Sequence, residues 1–170
     1  MKQIITLFVL LFSLAGLAQH VNWISIEEAY AKTKTDPKPI IVDVYTDWCG
    51  WCKKMDKDTY EKANIYNYIN ENFYAVKFDA EQKDSLHILD HTFKFVPSGR
   101  RGYHELAAAL LEGRLSYPAT VFLSGNFEKI TVVPGYQSAD NFHPILAYVQ
   151  GEHYKTTPWE EYLASYKENK

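Results

Sequence analysis

The sequence contains few cysteines and no surplus of basic residues. Only two of its 170 residues are cysteine, and 18 lysine and arginine residues face 21 aspartate and glutamate residues, which gives a net charge of −3. The chain therefore lacks the basic surface that nucleic-acid-binding proteins present, and we expect no nucleic-acid partner. It also lacks internal repeats, low-complexity tracts and any interdomain linker. With 46% hydrophobic residues, this composition favours one globular domain whose core needs no covalent staples.

The one long apolar run lies at the N-terminus. Residues 4–17 are almost wholly apolar, a lysine precedes them, and the small residues Gly16 and Ala18 suit a signal peptidase. The run is too short for a comfortable membrane span. We therefore predict a cleaved signal peptide at residues 1–18 and a single domain at residues 19–170 that is periplasmic or secreted and does not span the membrane. An uncleaved signal anchor is the alternative, whereas a lipoprotein anchor is excluded because no cysteine adjoins the cleavage site.

The two cysteines form the motif Cys49-Gly50-Trp51-Cys52. It stands where an apolar, β-branched strand pattern over residues 40–45 changes to a helical pattern. A thiol at the start of a helix is stabilised as a thiolate by the helix dipole, and the thiolate is the nucleophile of thiol–disulfide exchange. A bridge over two intervening residues closes a tiny loop and constrains the unfolded chain little. The spacing therefore favours a redox-active disulfide over a structural one.

The elements around this motif predict a βαβ unit, with parallel strands joined by a right-handed crossover. Strands are predicted at residues 40–45, 73–78, 92–96, 118–123 and 129–133, the last two joined by a hairpin turn at 124–126. Helices are predicted at residues 23–34, 50–60, 63–72, 103–111, 141–150 and 159–166, with one further helical turn at 86–89.

This order of elements, together with three motifs, resembles the thioredoxin superfamily. The motifs are Val42-Asp43, Trp48 to Cys52 and Tyr117-Pro118-Ala119-Thr120, and the chain looks closest to exported, periplasmic thioredoxin-like thiol–disulfide oxidoreductases with a CGWC motif. The resemblance covers about residues 40–150. It implies an α/β, thioredoxin-like fold in which helices flank a central mixed β-sheet. An insertion at residues 85–116 would precede the cis-proline strand, and an extra helix would end the chain.

The resemblance also implies catalytic roles. Cys49 is expected to be the exposed nucleophile of lowered pKa, and Cys52, one helical turn inward, the resolving thiol. Asp43 would be the general base for Cys52, with Lys77 on the neighbouring strand as its partner, because an unpaired carboxylate inside an apolar strand is costly. No organic cofactor is expected, since the Cys49–Cys52 disulfide itself carries the electrons.

Five further positions form the predicted substrate-binding surface. A cis bond between Tyr117 and Pro118 would face the cysteines and leave the Tyr117 backbone free to pair with an extended substrate. Gly50 would allow close backbone approach, and Trp48 adjoins the nucleophile. Trp51 replaces the proline common in cytosolic relatives, and it either offers an apolar contact to a substrate or simply packs.

We therefore expect an exported disulfide reductase that acts on extracytoplasmic protein disulfides and is recharged by a membrane electron donor. A disulfide oxidase or isomerase is the first alternative. A non-catalytic partner-binding or metal-handling module is the second. For a metal, His87 and His91 together with the cysteines have zinc-like spacing, but the 34 residues between Cys52 and His87 exceed those of a zinc finger, and we predict no metal ligand.

Three smaller interpretations remain. The insertion either shapes partner choice or only elaborates the scaffold. His104 and His143 are interpreted as surface or capping residues. Arg100 and Arg101 are interpreted as a solvated loop.

Overall fold

The computed structural model of the chain describes residues 20–168, so the predicted signal peptide lies outside the described residues. In chain order the elements are β1 (Trp23–Ile24), α1 (Ile26–Thr33), β2 (Ile40–Tyr45), α2 (Gly50–Met55), a π-helical turn (Asp56–Tyr60), α3 (Ala63–Asn72), β3 (Tyr74–Asp79), β4 (Leu86–Ile88), β5 (His91–Phe93), β6 (Phe95–Val96), β7 (Tyr103–His104), α4 (Glu105–Leu110), β8 (Ala119–Leu123), β9 (Lys129–Pro134), α5 (Ala139–Gln150), a 3₁₀ turn (His153–Lys155) and α6 (Trp159–Glu168).

Five strands form the central sheet, in the order β1-β3-β2-β8-β9. The central strand β2 runs parallel to β3 and antiparallel to β8, so the sheet is mixed, as the resemblance implied. The chain passes from β2 to β3 through α2, the π-helical turn and α3, which is the predicted βαβ connection. The thioredoxin-like α/β architecture is confirmed.

Each face of this sheet packs against its own core. Because successive side chains of a strand point to opposite faces, Ile40, Val42 and Val44 join one core and Ile41 joins the other. The first core also contains residues of α1 and α4, and the second contains residues of α2, α3 and α5. Asp43 is two positions from Ile41 and therefore lies on the face that α2 covers.

The insertion before β8 consists of two short hairpins and a helix. β4 pairs antiparallel with β5, and β6 pairs antiparallel with β7. The predicted helical turn at 86–89 is wrong, because Leu86 and Ile88 are buried and His87 between them is exposed, which is the period of a strand. Leu89 and Asp90 then adopt positive φ and turn the chain into β5.

Two predicted helices are shorter than expected. Trp23 and Ile24 form a strand, since they pair with β3, and α1 begins only after Ser25, whose hydroxyl accepts the Glu28 N–H. Residues 103–104 are likewise strand β7 and not helix. His104 caps α4 by accepting the Leu106 N–H at Nδ1.

The C-terminal helix packs on α5 through aromatic rings. The Tyr148 ring lies 5.2 Å from that of Trp159 and 4.9 Å from that of Tyr162, measured between centroids. None of the helices within residues 20–168 is long and apolar enough to cross a membrane.

Candidate active site

The two cysteines lie at the junction of β2 and α2. Cys49 is the N-cap of α2, and its Sγ accepts the Cys52 N–H at 3.1 Å. Cys49 and Cys52 are joined by a disulfide. The expected exposure of Cys49 is wrong for this bridged form, in which only 5% of the residue is exposed. Trp48 and Trp51, 52% and 59% exposed, form the surface on either side.

Asp43, on β2, is a buried carboxylate on the face of the sheet that α2 covers. Asp43 and Lys77 are register partners on β2 and β3, and Lys77 Nζ lies 3.0 Å from Asp43 Oδ2. Oδ1 is buried and has no hydrogen-bond partner among the described residues. Burial raises the pKa of Asp43 to about 6, although the Lys77 ammonium opposes that rise. The carboxyl group therefore titrates close to neutral pH.

Lys77 is shared between two carboxylates. Its ammonium group also pairs with Asp56, from the π-helical turn, and it lies over the rings of Trp23, Tyr45 and Tyr60 at 5.1, 5.2 and 5.8 Å. Burial alone would lower the pKa of Lys77, but the two carboxylates raise it above its ordinary value. The lysine is thus a fixed cation beside Asp43.

The sequence interpretation missed Asp56 and the three rings around Lys77. Asp56 stands four positions after Cys52, a spacing that puts two residues on one side of a helix and so was a usable signal. The rings of Trp23, Tyr45 and Tyr60 come from β1, β2 and the π-helical turn, and only the sheet order brings them together.

Neutral hydroxyl groups complete the buried side of the site. The Tyr60 hydroxyl lies 3.3 Å from Thr120 Oγ1, and Thr120 is the register partner of Asp43 on β8. Burial, followed by the nearby Asp43 charge, raises the pKa of Tyr60 well above its ordinary value. Asp43 therefore lies among these hydroxyl groups and the Lys77 ammonium, and the nearby Asp56 charge adds to the rise of its pKa.

The first exposed side of the site centres on Trp48. Its ring meets that of Tyr117 edge-on, with centroids 6.2 Å apart, and the Tyr117–Pro118 peptide bond is cis. The indole Nε1–H donates to Glu81 Oε1 at 3.0 Å, and the guanidinium of Arg101 lies 4.2 Å above the ring. The insertion thus reaches the redox site through Arg101, which the sequence alone had suggested to be simply solvated.

The second exposed side centres on Trp51. Its ring lies 5.6 Å from that of Tyr136, which follows β9, and Lys54 lies over the Tyr136 ring. A Cβ at Gly50 would meet nothing within 4 Å, so open space lies above the helix start. A partner backbone has room to approach there.

His87 and His91 belong to the β4–β5 hairpin of the insertion. His87 Nδ1 lies 3.0 Å from Thr92 Oγ1, and the His91 ring lies 4.5 Å from that of Phe93. Within residues 20–168 there is no group of three or more histidine, cysteine or acidic side chains that could hold a metal ion.

Comparisons with known proteins agree with this geometry. An uncharacterized protein of Caenorhabditis elegans is 31% identical over 120 residues, which are 68% of this chain but only 14% of that protein. The disulfide bond reductase DsbH of Chlamydia pneumoniae is 31% identical over 68 residues, 39% of this chain and 41% of that protein. The chain thus spans well under two thirds of the curated relatives that it matches.

A solved structure and a family profile extend the match. The structure of a DsbH oxidoreductase superposes with a TM-score of 0.55 over 78% of this chain and 83% of that one, at 21% identity, which shows the shared fold. The profile named Thioredox_DsbH, described as a protein of unknown function, DUF255, matches residues 11–157. That profile covers most of the chain, so the chain, with its thioredoxin fold and its paired cysteines at a helix start, belongs to the DsbH (DUF255) family.

Proposed function

We propose that this protein is an extracytoplasmic disulfide reductase that cycles between a Cys49/Cys52 dithiol and a Cys49–Cys52 disulfide. The observation that carries the proposal is the pairing of this disulfide, at the start of α2, with a buried carboxylate on the face that α2 covers. Asp43 has one buried oxygen without a partner, so it can accept a proton.

The first step is attack by the Cys49 thiolate on a substrate disulfide. A Cys49–substrate bond forms, the substrate S–S bond breaks, and the departing thiolate takes up a proton. The dipole of α2 stabilises the attacking thiolate, and Trp48, Trp51 and the Tyr117 backbone offer the surface on which the substrate lies.

The second step releases the substrate. Cys52 gives its proton to Asp43 and attacks Cys49 Sγ. The Cys49–Cys52 bond forms, the mixed disulfide breaks, and the second substrate sulfur leaves as a thiolate that takes up a proton. Two electrons have then passed from the dithiol to the substrate. Lys77 keeps a positive charge beside Asp43 and limits the rise of its pKa, so that the carboxylate is ionised at neutral pH.

The direction of electron flow has two sources of support. The curated relative from Chlamydia pneumoniae is named a disulfide bond reductase, and the Asp43–Lys77 pair resembles that of reducing thioredoxin-like proteins. The apolar residues 4–17 support export. An exported reductase needs a supply of electrons, for which we propose a membrane-bound dithiol donor.

The equilibrium reduction potential of the Cys49–Cys52 pair tests the direction. It is measured on residues 19–170 in dithiothreitol or glutathione buffers. A value near about −270 mV supports a reductase, whereas a value near about −120 mV would place the protein among oxidants. Sequencing of the N-terminus of the exported protein tests the cleavage site at residue 18.

A pair of cysteine variants tests the order of the two steps. C52S should retain a mixed disulfide through Cys49, because the resolving thiol is absent, and C49S should not. Capture by both variants, or by C49S alone, would contradict the assignment of Cys49 as the nucleophile.

A further inference from the structure

The loop between β6 and β7 holds an arginine at the redox site. The backbone N–H of Arg101 donates to the Ser98 carbonyl at 3.3 Å, which closes a turn. Gly102 follows with a φ of +97°, and a Cβ there would overlap the Phe95 ring and the Val96 carbonyl. The ammonium group of Lys83 lies over the same Phe95 ring, 3.1 Å from its centroid. The backbone on either side of Arg101 is therefore constrained, by the turn to Ser98 before it and by the close approach of Gly102 to Phe95 and Val96 after it.

The guanidinium of Arg101 lies over the side chain of the residue that precedes the proposed nucleophile. It covers the face of Trp48 at 4.2 Å, and Trp48 immediately precedes Cys49. Glu81 holds the indole by its N–H, and Tyr117 meets the ring edge. These contacts keep the arginine and the indole together on the surface that a substrate must cross to reach the disulfide.

The charge of this guanidinium is available to a partner. No carboxylate within residues 20–168 forms an ion pair with Arg101, and Glu81 is engaged by the indole of Trp48. Arg101 is exposed. A guanidinium that stacks on an aromatic face keeps its N–H donors at its rim, where they match the two oxygens of a carboxylate.

We propose that Arg101 is a specificity-determining residue that selects protein disulfides with an aspartate or glutamate close to the cysteine that bonds to Cys49. This inference rests on the proposed function and names the substrate class for the same site. Arg101 forms and breaks no covalent bond. It binds the substrate's carboxylate while Cys49 attacks, so it raises the rate of formation of the mixed disulfide for acidic substrates.

Two matched peptides test the proposal. Each contains one internal disulfide, and they differ only in having aspartate or lysine two positions before the first cysteine. Pre-reduced protein is mixed with each peptide in excess, and the second-order rate constant of peptide reduction is measured by acid quenching and mass spectrometry. The readout is the ratio of the two rate constants, which cancels any general loss of activity.

The wild type should reduce the aspartate peptide about fivefold faster, the size of effect expected for one exposed ion pair. R101Q should bring the ratio to about one, and R101E should reverse it. R100Q is the matched control, because among the described residues the cation that lies over the Trp48 ring is that of Arg101, and R100Q should keep the wild-type ratio. The ratio should also shrink as the salt concentration rises from about 0.01 M to about 1 M, because the screening length falls roughly tenfold.

The outcomes separate this inference from the proposed function. If the wild type reduces both peptides equally, or if R101Q slows both without changing their ratio, Arg101 only braces Trp48 and the inference is overturned. A change of ratio in R100Q equal to that in R101Q would overturn it too. If the wild type reduces neither peptide, the proposed reductase function itself fails.

Discussion

Asp43 and Lys77 face each other across two parallel strands, with Lys77 Nζ 3.0 Å from Asp43 Oδ2, and yet the pKa of Asp43 is raised to about 6. The ion pair does not compensate the cost of removing the carboxylate from water. The pair therefore leaves Asp43 close to its titration point at neutral pH, where a general base is most effective.

Removing the carboxylate should slow catalysis. In the proposed mechanism Asp43 accepts the Cys52 proton only when ionised, so the wild-type rate of disulfide reduction should rise with pH through about 6. D43N should lack this rise and be slower at neutral pH by on the order of 100-fold. Single-turnover reduction of a peptide disulfide across pH measures both effects, and equal rates in the two proteins from about pH 6 to 8 would contradict the role of Asp43.

The same substitution should not weaken the fold. A raised carboxylate pKa means that the folded state binds more protons than the unfolded state, so this stability is full below the ordinary pKa of 3.8 and is lost as the pH rises to about 6. D43N should therefore be at least as stable as the wild type at pH 7. Urea unfolding measures this, and a large loss of stability would mean that the slow turnover of D43N reflects misfolding.

Asp56 should tune the titration of Asp43. Its negative charge raises the pKa of Asp43, and it shares Lys77. In D56N the ammonium is left to Asp43 alone, so the midpoint of the pH–rate profile should move to lower pH. D58N is the matched control, because Asp58 is in the same π-helical turn but pairs with Lys54. Equal shifts in both variants would show a general charge effect.

His104 should make stability depend on pH with the opposite sign. Burial lowers its pKa, and its Nδ1 must be unprotonated to cap α4. The unfolded state thus binds more protons, so this contribution is full above the ordinary pKa of 6.5 and is lost as the pH falls through the lowered folded value.

H104N separates the titration of His104 from its capping of α4, because asparagine also caps helices but does not titrate in this pH range. At pH 8 it should unfold at lower urea than the wild type, since it loses the contact of His104 Nε2 with the Asp84 carbonyl. The difference in unfolding urea concentration between H104N and the wild type should become smaller towards pH 5. The same substitution at His87, which is exposed, should preserve the wild-type dependence of stability on pH. A difference between H104N and the wild type that stays constant with pH would contradict the role of His104.

A methyl group at Gly102 should disturb the loop that carries Arg101. In G102A the new Cβ would overlap the Val96 carbonyl and the Phe95 ring, in addition to the positive φ. G99A is the control, because Gly99 has a φ of +56° but nothing within 4 Å of an added Cβ. G99A should cost about 1 kcal/mol and G102A at least about 2 kcal/mol of unfolding free energy. An equal loss of unfolding free energy in G99A and G102A would show that the close contacts around Gly102 do not contribute to stability.

Much of the sheet was predictable because its strands have unambiguous patterns. The β-branched run over 40–45 indicates a strand buried on both faces, and the cysteine motif after it marks the start of a helix. The local sequence pattern gave the wrong element where the pairing of strands decides the structure. Leu86 to Leu89 has apolar residues that suit a helical turn, but pairing with His91–Phe93 selects the strand.

The site was less predictable than the fold, because its contacts join distant parts of the chain. Trp48 and Arg101 are 53 positions apart and meet only because the insertion packs against one face of the sheet. Nothing in the local sequence of Arg100-Arg101 distinguishes a solvated pair from one whose second member stacks on an indole. The resemblance to thioredoxins offered no help here, since the insertion lies outside the minimal fold.

The sulfur that caps α2 couples the redox state of the cysteines to the stability of the fold. Cys49 Sγ accepts the Cys52 N–H at 3.1 Å, so the chemical state of the sulfur and the first turn of the helix are in contact. Oxidation and unfolding then form a closed thermodynamic cycle, in which about 30 mV of potential equals about 1.4 kcal/mol. Any change that stabilises the helix start in only one redox state must shift the reduction potential and the unfolding free energy by equivalent amounts.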